Sequence, residues 1–337
     1  MTKVAILGGS GYTAAELLKI LLRHPHADVV AVTSTKEGTP AVAELHPSLL
    51  GRTDLRCEPF DADRLVARGV EFAFGCLPHG VSMTTLPALL DHGVRVIDLS
   101  ADYRLRDPNA YAQWYGASHE DLAHLAQAVY GLPELYAAEI ATAQLVANPG
   151  CYPQTAILGL AALVAGRHVD LSGIIVDSKS GVSGAGRSPK LAFHFPECNE
   201  SVSAYGVGTH RHTPEIEQAL ADVAGAPVEV IFTPHLIPMD RGIFTTIYAT
   251  PRRPVTQGEL LDLFREYYAG KPFVRVRESL PATKDTAHTN YLDVTVRVVR
   301  GKVLVLACED NLVRGASGVA VQNFNRMTGR DERTGLL

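Results

Sequence analysis

Val4-Ala5-Ile6-Leu7-Gly8-Gly9-Ser10-Gly11-Tyr12-Thr13-Ala14 joins an apolar run to a glycine-rich turn, and residues 14–23 continue with helical spacing. A buried strand, a tight glycine turn and a helix start together open a βαβ unit, in which a dinucleotide pyrophosphate rests on the helix N-terminus. Gly8 and Gly11 permit the turn and a close backbone approach, while Ala14 takes the place of a third glycine, so the spacing is G-x-x-G-x-x-A. Outward from this stretch, apolar runs at 29–33, 72–76 and 94–99 alternate with a helical pattern at 81–92. Strands interleaved with helices predict a parallel, doubly wound sheet.

After about residue 148 the texture changes. A helical pattern at 154–165 precedes a strand at 174–178, a Gly/Ser-rich loop, and longer strands at 228–233, 243–250, 291–299 and 303–308. With a helix at 258–268, these predict a mainly antiparallel sheet covered by helices on one face. A last amphipathic helix, 316–327, follows the loop 311–315. The expected fold is therefore α/β, a Rossmann-type doubly wound parallel sheet plus a second α+β domain. The 337 residues, 46% apolar and 20% charged, suffice for two such domains.

A net charge of −5 without any dense Lys/Arg run argues against a nucleic-acid surface, because neutralising phosphates needs clustered cations. The longest strongly apolar stretch, 155–165, is too short to span a bilayer, and Met1-Thr2-Lys3 runs into the first strand without a charged leader. A cytoplasmic protein acting on a small molecule is expected. The five cysteines are odd in number, widely separated and without a C-x-x-C pair, which suggests neither a disulfide framework nor a zinc ribbon.

Cofactor choice is read at the end of the second strand. An NAD site places Asp or Glu there for the ribose 2′-hydroxyl. Here stand Thr33-Ser34-Thr35-Lys36, hydroxyls and a cation suited to a 2′-phosphate, so NADP is expected over NAD. His79, in Cys76-Leu77-Pro78-His79-Gly80, follows a parallel strand at the carboxyl edge where cofactors lie. The loop 178–187, with Lys179 and Arg187 bracketing its glycines, has the small residues and backbone donors that cradle phosphate.

Asn148-Pro149-Gly150-Cys151-Tyr152-Pro153 lies between a strand-like run at 143–147 and the helix expected from about Gln154. A cysteine at such a corner gains thiolate character from the helix dipole and free N–H groups, and so can attack an acyl carbon. Thr209-His210-Arg211-His212-Thr213-Pro214-Glu215 offers either imidazole as acid and base. Glu215 either orients an imidazole or is an ordinary first-turn carboxylate behind Pro214. The i, i+2 histidines, with His194 and Cys198 upstream, also resemble half of a zinc site. That reading is weaker: no H-E-x-x-H occurs, the upstream spacing is irregular, and Arg211 disfavours a dication, so no metal is expected.

Taken together the chain resembles the N-acetyl-gamma-glutamyl-phosphate reductases, a family of the semialdehyde dehydrogenase group. Eight segments carry the resemblance in the family's order: 8–17 (GGSGYTAAEL), 77–80 (LPHG), 97–105 (IDLSADYRL), 130–135 (YGLPEL), 148–153 (NPGCYP), 179–187 (KSGVSGAGR), 210–216 (HRHTPEI) and 315–325 (GASGVAVQNFN). The resemblance implies NADPH-dependent reductive dephosphorylation of an acyl phosphate to an aldehyde, by a homodimer or homotetramer. It implies an NADP-binding domain of residues 1–148 with 313–337, and a catalytic and oligomerisation domain of 149–312. It implies Cys151, His210, His212 and Glu215 as the catalytic set, with His212 favoured as acid/base. Cofactor contacts fall on Gly8, Ser10, Gly11, Tyr12, Thr13, Ser34, Thr35, Lys36, Leu77, Pro78, His79, Ser183, Gly184 and Asn311; substrate contacts fall on Lys179, Arg187, Arg211 and Arg104. Two positions depart from the family's usual residues: Ala14 for glycine, and Gln154 where threonine is common. The nearest rival is a sister reductase of an aminoadipyl phosphate, one methylene longer, and a different class is an NADP-binding regulator without chemistry.

Overall fold

Parallel pairing runs unbroken through the first sheet, as interleaved strands and helices require. Its strands are β1 (Thr2–Leu7), β2 (Ala27–Thr33), β3 (Cys57–Glu58), β4 (Phe72–Gly75), β5 (Arg95–Asp98), β6 (Val129–Tyr130) and β7 (Leu145–Ala147), in the order β3-β2-β1-β4-β5-β7-β6. The chain leaves β1 toward β2 and β3 and then crosses to β4 on the other side, which creates a switch point at the carboxyl ends of β1 and β4. The computed structural model describes residues 1–337 and divides them into two compact units, Met1–Pro149 with Ala316–Leu337, and Gly150–Gly315.

In the first unit the C-terminal helix Gly318–Met327 is held by specific contacts. The Phe324 ring meets Phe72 edge-on at 4.9 Å, Asn323 Nδ2 donates to the Gly131 carbonyl at 2.8 Å, and Asn325 Oδ1 pairs with His24 Nε2 at 2.9 Å. The pattern at 81–92 forms two short helices, Ser82–Thr85 and Pro87–Leu90, because Pro87 interrupts the first and starts the second.

The second unit holds β8 (Ile174–Ser180), β9 (Ser203–Ala204), β10 (Val230–Leu236), β11 (Ile243–Ala249), β12 (Val274–Val276), β13 (Leu292–Val299) and β14 (Lys302–Glu309), in the order β12-β13-β14-β11-β8-β10-β9. The β8–β10 and β12–β13 pairs are parallel and the other pairs antiparallel. Helix Cys151–Ala165 is buried from Tyr152 to Val164, as an all-round apolar sequence demands. It lies close on β11: a Cβ on Gly159 would come within 2.7 Å of Ile247 Cδ1. Hydroxyls knit the same layer, with Thr245 Oγ1 2.7 Å from Thr155 Oγ1 and 2.8 Å from Ser178 Oγ. On the opposite face Ile175 stands in register with both Ile231 and Tyr248, and all three are exposed.

Two of the boundaries that differ from the sequence expectation flank the nucleophile segment and the C-terminal helix. The helix expected from Gln154 begins at Cys151, since a proline in the first turn sacrifices no helical hydrogen bond. The last helix begins at Gly318 and is preceded by a π-helical turn, Val313–Ser317.

Candidate active site

In the first unit the glycine turn is built by sterics. Gly8 sits at φ +83°, and a Cβ there would meet the Cys76 carbonyl oxygen at 2.4 Å; one on Gly9 would meet Val32 Cγ1 at 2.3 Å. The N–H groups of Gly8 and Gly9 both donate to the Thr33 carbonyl, tying β1 to the end of β2. Gly11 differs. It caps helix Tyr12–Leu21 without any side-chain acceptor, and nothing lies within 4 Å of the space a Cβ would fill. This N-cap residue therefore contributes no side chain to the first N–H groups of the helix. Ser10, Tyr12 and Thr13 belong to this turn, and the Thr13 carbonyl accepts from Ser317 Oγ at 2.8 Å.

Ser34, Thr35 and Lys36 follow β2, with Thr35 and Lys36 exposed and Ser34 Oγ accepting from the Lys36 N–H. Leu77, Pro78 and His79 follow β4. The Ala101 N–H donates to His79 Nδ1 at 3.0 Å, so the proton of the neutral ring resides on Nε2. Asp102, fully buried, accepts from the N–H groups of Gly80 and Met83 and from Tyr111 Oη, which fixes this turn. Beside it Asp98 takes Ser82 Oγ and Ser100 Oγ, and burial pushes its carboxyl up to about 6. Neither aspartate was singled out from the sequence as a site residue; two acids four apart behind a parallel strand were the available signal. Arg104 is buried, with Nε on the Asn148 carbonyl and Nη2 on the Leu99 carbonyl.

In the second unit Cys151 opens its helix directly after Gly150, and the Gly150 N–H donates to Glu215 Oε1 at 2.7 Å. Glu215 is itself buried, in the first turn of helix Thr213–Ala224. The two histidine rings stand 4.8 Å apart, and Tyr152, next to Cys151, lies 5.8 Å from His210 and 6.0 Å from His212. The His212 N–H donates to His210 Nδ1 at 3.1 Å. Burial, with the neighbouring Arg211 charge, holds His210 down to about 4, so the ring is neutral near pH 7 and carries its proton on Nε2. Tyr205 Oη donates to Tyr152 Oη at 2.9 Å, and burial raises both phenols. This tyrosine pair was not apparent from spacing, because 53 residues separate its members.

The loop after β8 docks on the turn before β11: a Cβ on Gly181 would fall 2.4 Å from the Asp240 carbonyl oxygen. Ser183, Gly184 and Asn311 gather there. Asn311 Nδ2 donates to Ser183 Oγ at 3.0 Å, and Asn311 Oδ1 accepts from the Gly242 N–H at 2.7 Å. Arg187 and Arg211 are exposed. Lys179 pairs with Asp177 at 2.9 Å on the sheet face opposite the one carrying Ser178 and Thr245, and therefore away from the helix of Cys151. Arg241, absent from the sequence reading, reaches Asp310 Oδ2 at 3.5 Å. Among the other thiols, burial raises Cys57 and pushes Cys76 and Cys308 up to about 12. No group of three or more His, Cys, Asp or Glu side chains is placed to hold a metal ion, and no helix is long and apolar enough to cross a membrane.

Family models match both units. Residues 3–143 match the NAD-binding domain of semialdehyde dehydrogenase, and residues 151–311 match its dimerisation domain. The N-acetyl-gamma-glutamyl-phosphate reductase of Rhodopirellula baltica is 48% identical over 340 residues, covering 99% of this chain and 98% of that one. The reductase of the same name from Desulforudis audaxviator is 48% identical over 341 residues, covering 100% and 98%. Among solved structures, aspartate semialdehyde dehydrogenase II of Vibrio cholerae, complexed with ASA, superposes with a TM-score of 0.72 at 17% identity, covering 98% of each chain. The Candida albicans aspartate semialdehyde dehydrogenase with NADP gives 0.70 at 14% identity, covering 97% of this chain and 98% of that one. Two family models in tandem and full-length identity near one half place the chain in the semialdehyde dehydrogenase family, in its branch of N-acetyl-gamma-glutamyl-phosphate reductases.

Proposed function

We propose that this chain reduces N-acetyl-gamma-glutamyl phosphate to N-acetylglutamate 5-semialdehyde with NADPH, the arginine-pathway reaction, through a thioester on Cys151. The observation that carries the reading is identity of 48% to reductases of that name over essentially the whole chain. The Cys151 thiolate attacks the gamma-acyl carbon and phosphate departs, leaving the thioester. When bound, NADPH supplies the hydride that reduces the thioester carbon. Collapse of the resulting thiohemiacetal releases the aldehyde and restores the thiolate.

His210, kept neutral with its proton on Nε2, is a hydrogen-bond donor to the substrate. His212 is then the acid and base. The Cys151 N–H, at the helix start, contributes to holding the oxyanion. Arg187, Arg211 and Arg104 are the candidates for the phosphate and carboxylate of the substrate; Lys179, on the outward sheet face, is left out of this assignment. The residues present fit NADP: the Gly11 turn leaves an open helix N-terminus for a pyrophosphate, and Ser34, Thr35 and Lys36 offer two hydroxyls and a cation for a 2′-phosphate. Leu77, Pro78 and His79 border the same carboxyl edge, and Ser183, Gly184 and Asn311 form the cofactor rim of the second unit.

A cytoplasmic homodimer or homotetramer is proposed, supported by the dimerisation-domain match and by the exposed row Ile231, Ile175 and Tyr248. The test of function is NADP⁺ reduction with N-acetylglutamate semialdehyde and phosphate, run beside the aminoadipate homologue and NAD⁺. Phosphate-dependent NADPH formation with the glutamate compound is expected. Turnover of the homologue alone would transfer the enzyme to the aminoadipyl reaction, and silence with both would overturn the enzymatic reading.

A further inference from the structure

Between β14 and the C-terminal helix the chain winds into a π-helical turn, Val313–Ser317, whose Gly315 N–H donates to the Asp310 carbonyl five residues back at 2.8 Å. Such turns are costly local departures from α geometry and are frequent at functional sites. Gly315 has no left-handed backbone angle that would call for glycine. Space calls for it instead. A Cβ on Gly315 would stand 2.8 Å from Cys151 Cβ, 3.3 Å from Cys151 Cα and 3.1 Å from the buried Glu309 Oε1. Two of those three atoms are the stem of the nucleophile, so any side chain at 315 must displace Cys151 or be displaced by it.

The turn is also fastened from the other side. Gln154, one helical turn after Cys151 and fully buried, donates Nε2 to the Arg314 carbonyl at 2.9 Å. Its Oε1 has no hydrogen-bond partner. An unsatisfied buried amide oxygen is a standing cost, so the residue is poorly explained by stability alone. Its one bond joins the helix of Cys151 to the carbonyl immediately before Gly315.

We propose that the π-helical turn Val313–Ser317 is the seat of the nucleophile, with Gly315 and Gln154 as positioning residues. Gly315 supplies the clearance in which the Cys151 stem settles against the turn, and Gln154 sets the distance between turn and helix. The proposal rests on the reading of Cys151 as nucleophile, and its test includes a readout that does not depend on turnover.

The test compares Gly315→Ala and Gly315→Ser in the full chain. We expect kcat to fall about 10-fold for alanine and further for serine, since overpacking of such a contact scales with added atoms. KM for the acyl phosphate and the Kd for NADPH should stay within about twofold of wild type. The second-order rate of Cys151 alkylation by iodoacetamide, assigned by peptide mass, should fall in the same order. Gln154→Met, which keeps the volume and removes the bond to Arg314, should lower kcat and alkylation several-fold and covers the case in which the glycine variants do not fold. Wild-type alkylation rates in the folded variants would overturn the proposal, as would a kcat loss matched by equal losses in KM and NADPH affinity. If the wild type itself shows no turnover, the functional reading fails while the alkylation series still decides the positioning role.

Discussion

The chain uses one local device twice, a strand running through a glycine corner into a helix, and gives the two corners opposite electrostatic settings. Neither N-cap glycine supplies a side-chain cap, and at Gly11 the space a Cβ would fill holds nothing within 4 Å. At Gly150 the corresponding N–H is already taken by the Glu215 carboxylate. An uncapped N-terminus attracts an external anion, whereas one occupied by a carboxylate holds its own. The first corner is the one proposed above to receive the cofactor's pyrophosphate. The second holds the proposed nucleophile one residue from the Glu215 carboxylate, with the neutral His210 ring 5.8 Å from that of Tyr152. On the proposed function the same backbone geometry serves binding at one corner and chemistry at the other, and the difference between them is the carboxylate that helix Thr213–Ala224 brings to Gly150.

The largest effect that breaks this contrast is removal of the thiol. Cys151→Ser should lower kcat on the order of 10³-fold or more, because a serine hydroxyl at the same place has no comparable anionic fraction. NADPH affinity, measured by fluorescence titration, should be unchanged. A near-normal rate would end the covalent mechanism.

Within the first corner the glycines divide into two kinds. Gly8→Ala forces an L-residue to φ +83° with its Cβ 2.4 Å from a carbonyl oxygen. Strain and overpacking of that kind cost about 2–4 kcal/mol, a drop of several degrees in Tm by calorimetry. Gly11→Ala meets nothing within 4 Å and should leave Tm nearly unchanged. It should nevertheless weaken NADPH about 10-fold, since the methyl occupies the approach of the pyrophosphate. Equal behaviour of the two variants in both assays would remove the distinction between a glycine needed by the fold and one needed by the ligand.

How much of this was readable beforehand follows the range of the interactions. β1 and the Gly8 to Gly11 turn were legible because strand period, glycine spacing and helix onset are all local. At the nucleophile corner the expected helix start, about Gln154, lies one turn too late: a first-turn proline needs no N–H, and the helix takes in Cys151. Strands β3, β6, β9 and β12 are two or three residues long and lack any period to detect. The π-helical turn at Val313–Ser317 spans the expected loop 311–315 and the start of the expected helix 316–327, since an i to i+5 bond has no composition of its own. Glu215 on Gly150, Gln154 on Arg314 and Asp102 on Gly80 join residues brought together only by the fold. Residue type named the chemistry; partners at long sequence separation set its geometry.

The neutral state of His210 predicts a pH-dependent contribution to stability from the second unit. Its folded value near 4 lies below the ordinary 6.5, so between these pH values the unfolded chain binds a proton that the folded chain refuses. Stability contributed by the neutral ring is therefore present above about pH 6.5 and lost as pH falls toward 4, by about 2 kcal/mol after allowance for partial solvation. The urea midpoint of wild type should drop more steeply on acidification from pH 7.5 to 5 than that of His210→Asn. Parallel pH profiles would mean that the folded ring titrates near the ordinary 6.5, as in the unfolded chain, and that burial does not hold it neutral.

The smallest effect carries the sharpest distinction, because Glu215 has two readings with opposite signs. As a cap on Gly150 it places negative charge beside Cys151 and so opposes the thiolate. As a partner of His212 it would favour an imidazolium that supports the thiolate. Glu215→Gln retains an oxygen for the Gly150 N–H and removes the charge. Under the first reading the Cys151 thiolate becomes easier to form, and alkylation at pH 7 rises about 3- to 10-fold, equivalent to a shift of half a pKa unit to one unit. Under the second the same variant alkylates more slowly and its rate profile moves to higher pH. The hydrogen bond from Gly150 favours a rise; a fall would make Glu215 part of the acid/base pair, its charge acting through His212 more than through the Gly150 corner.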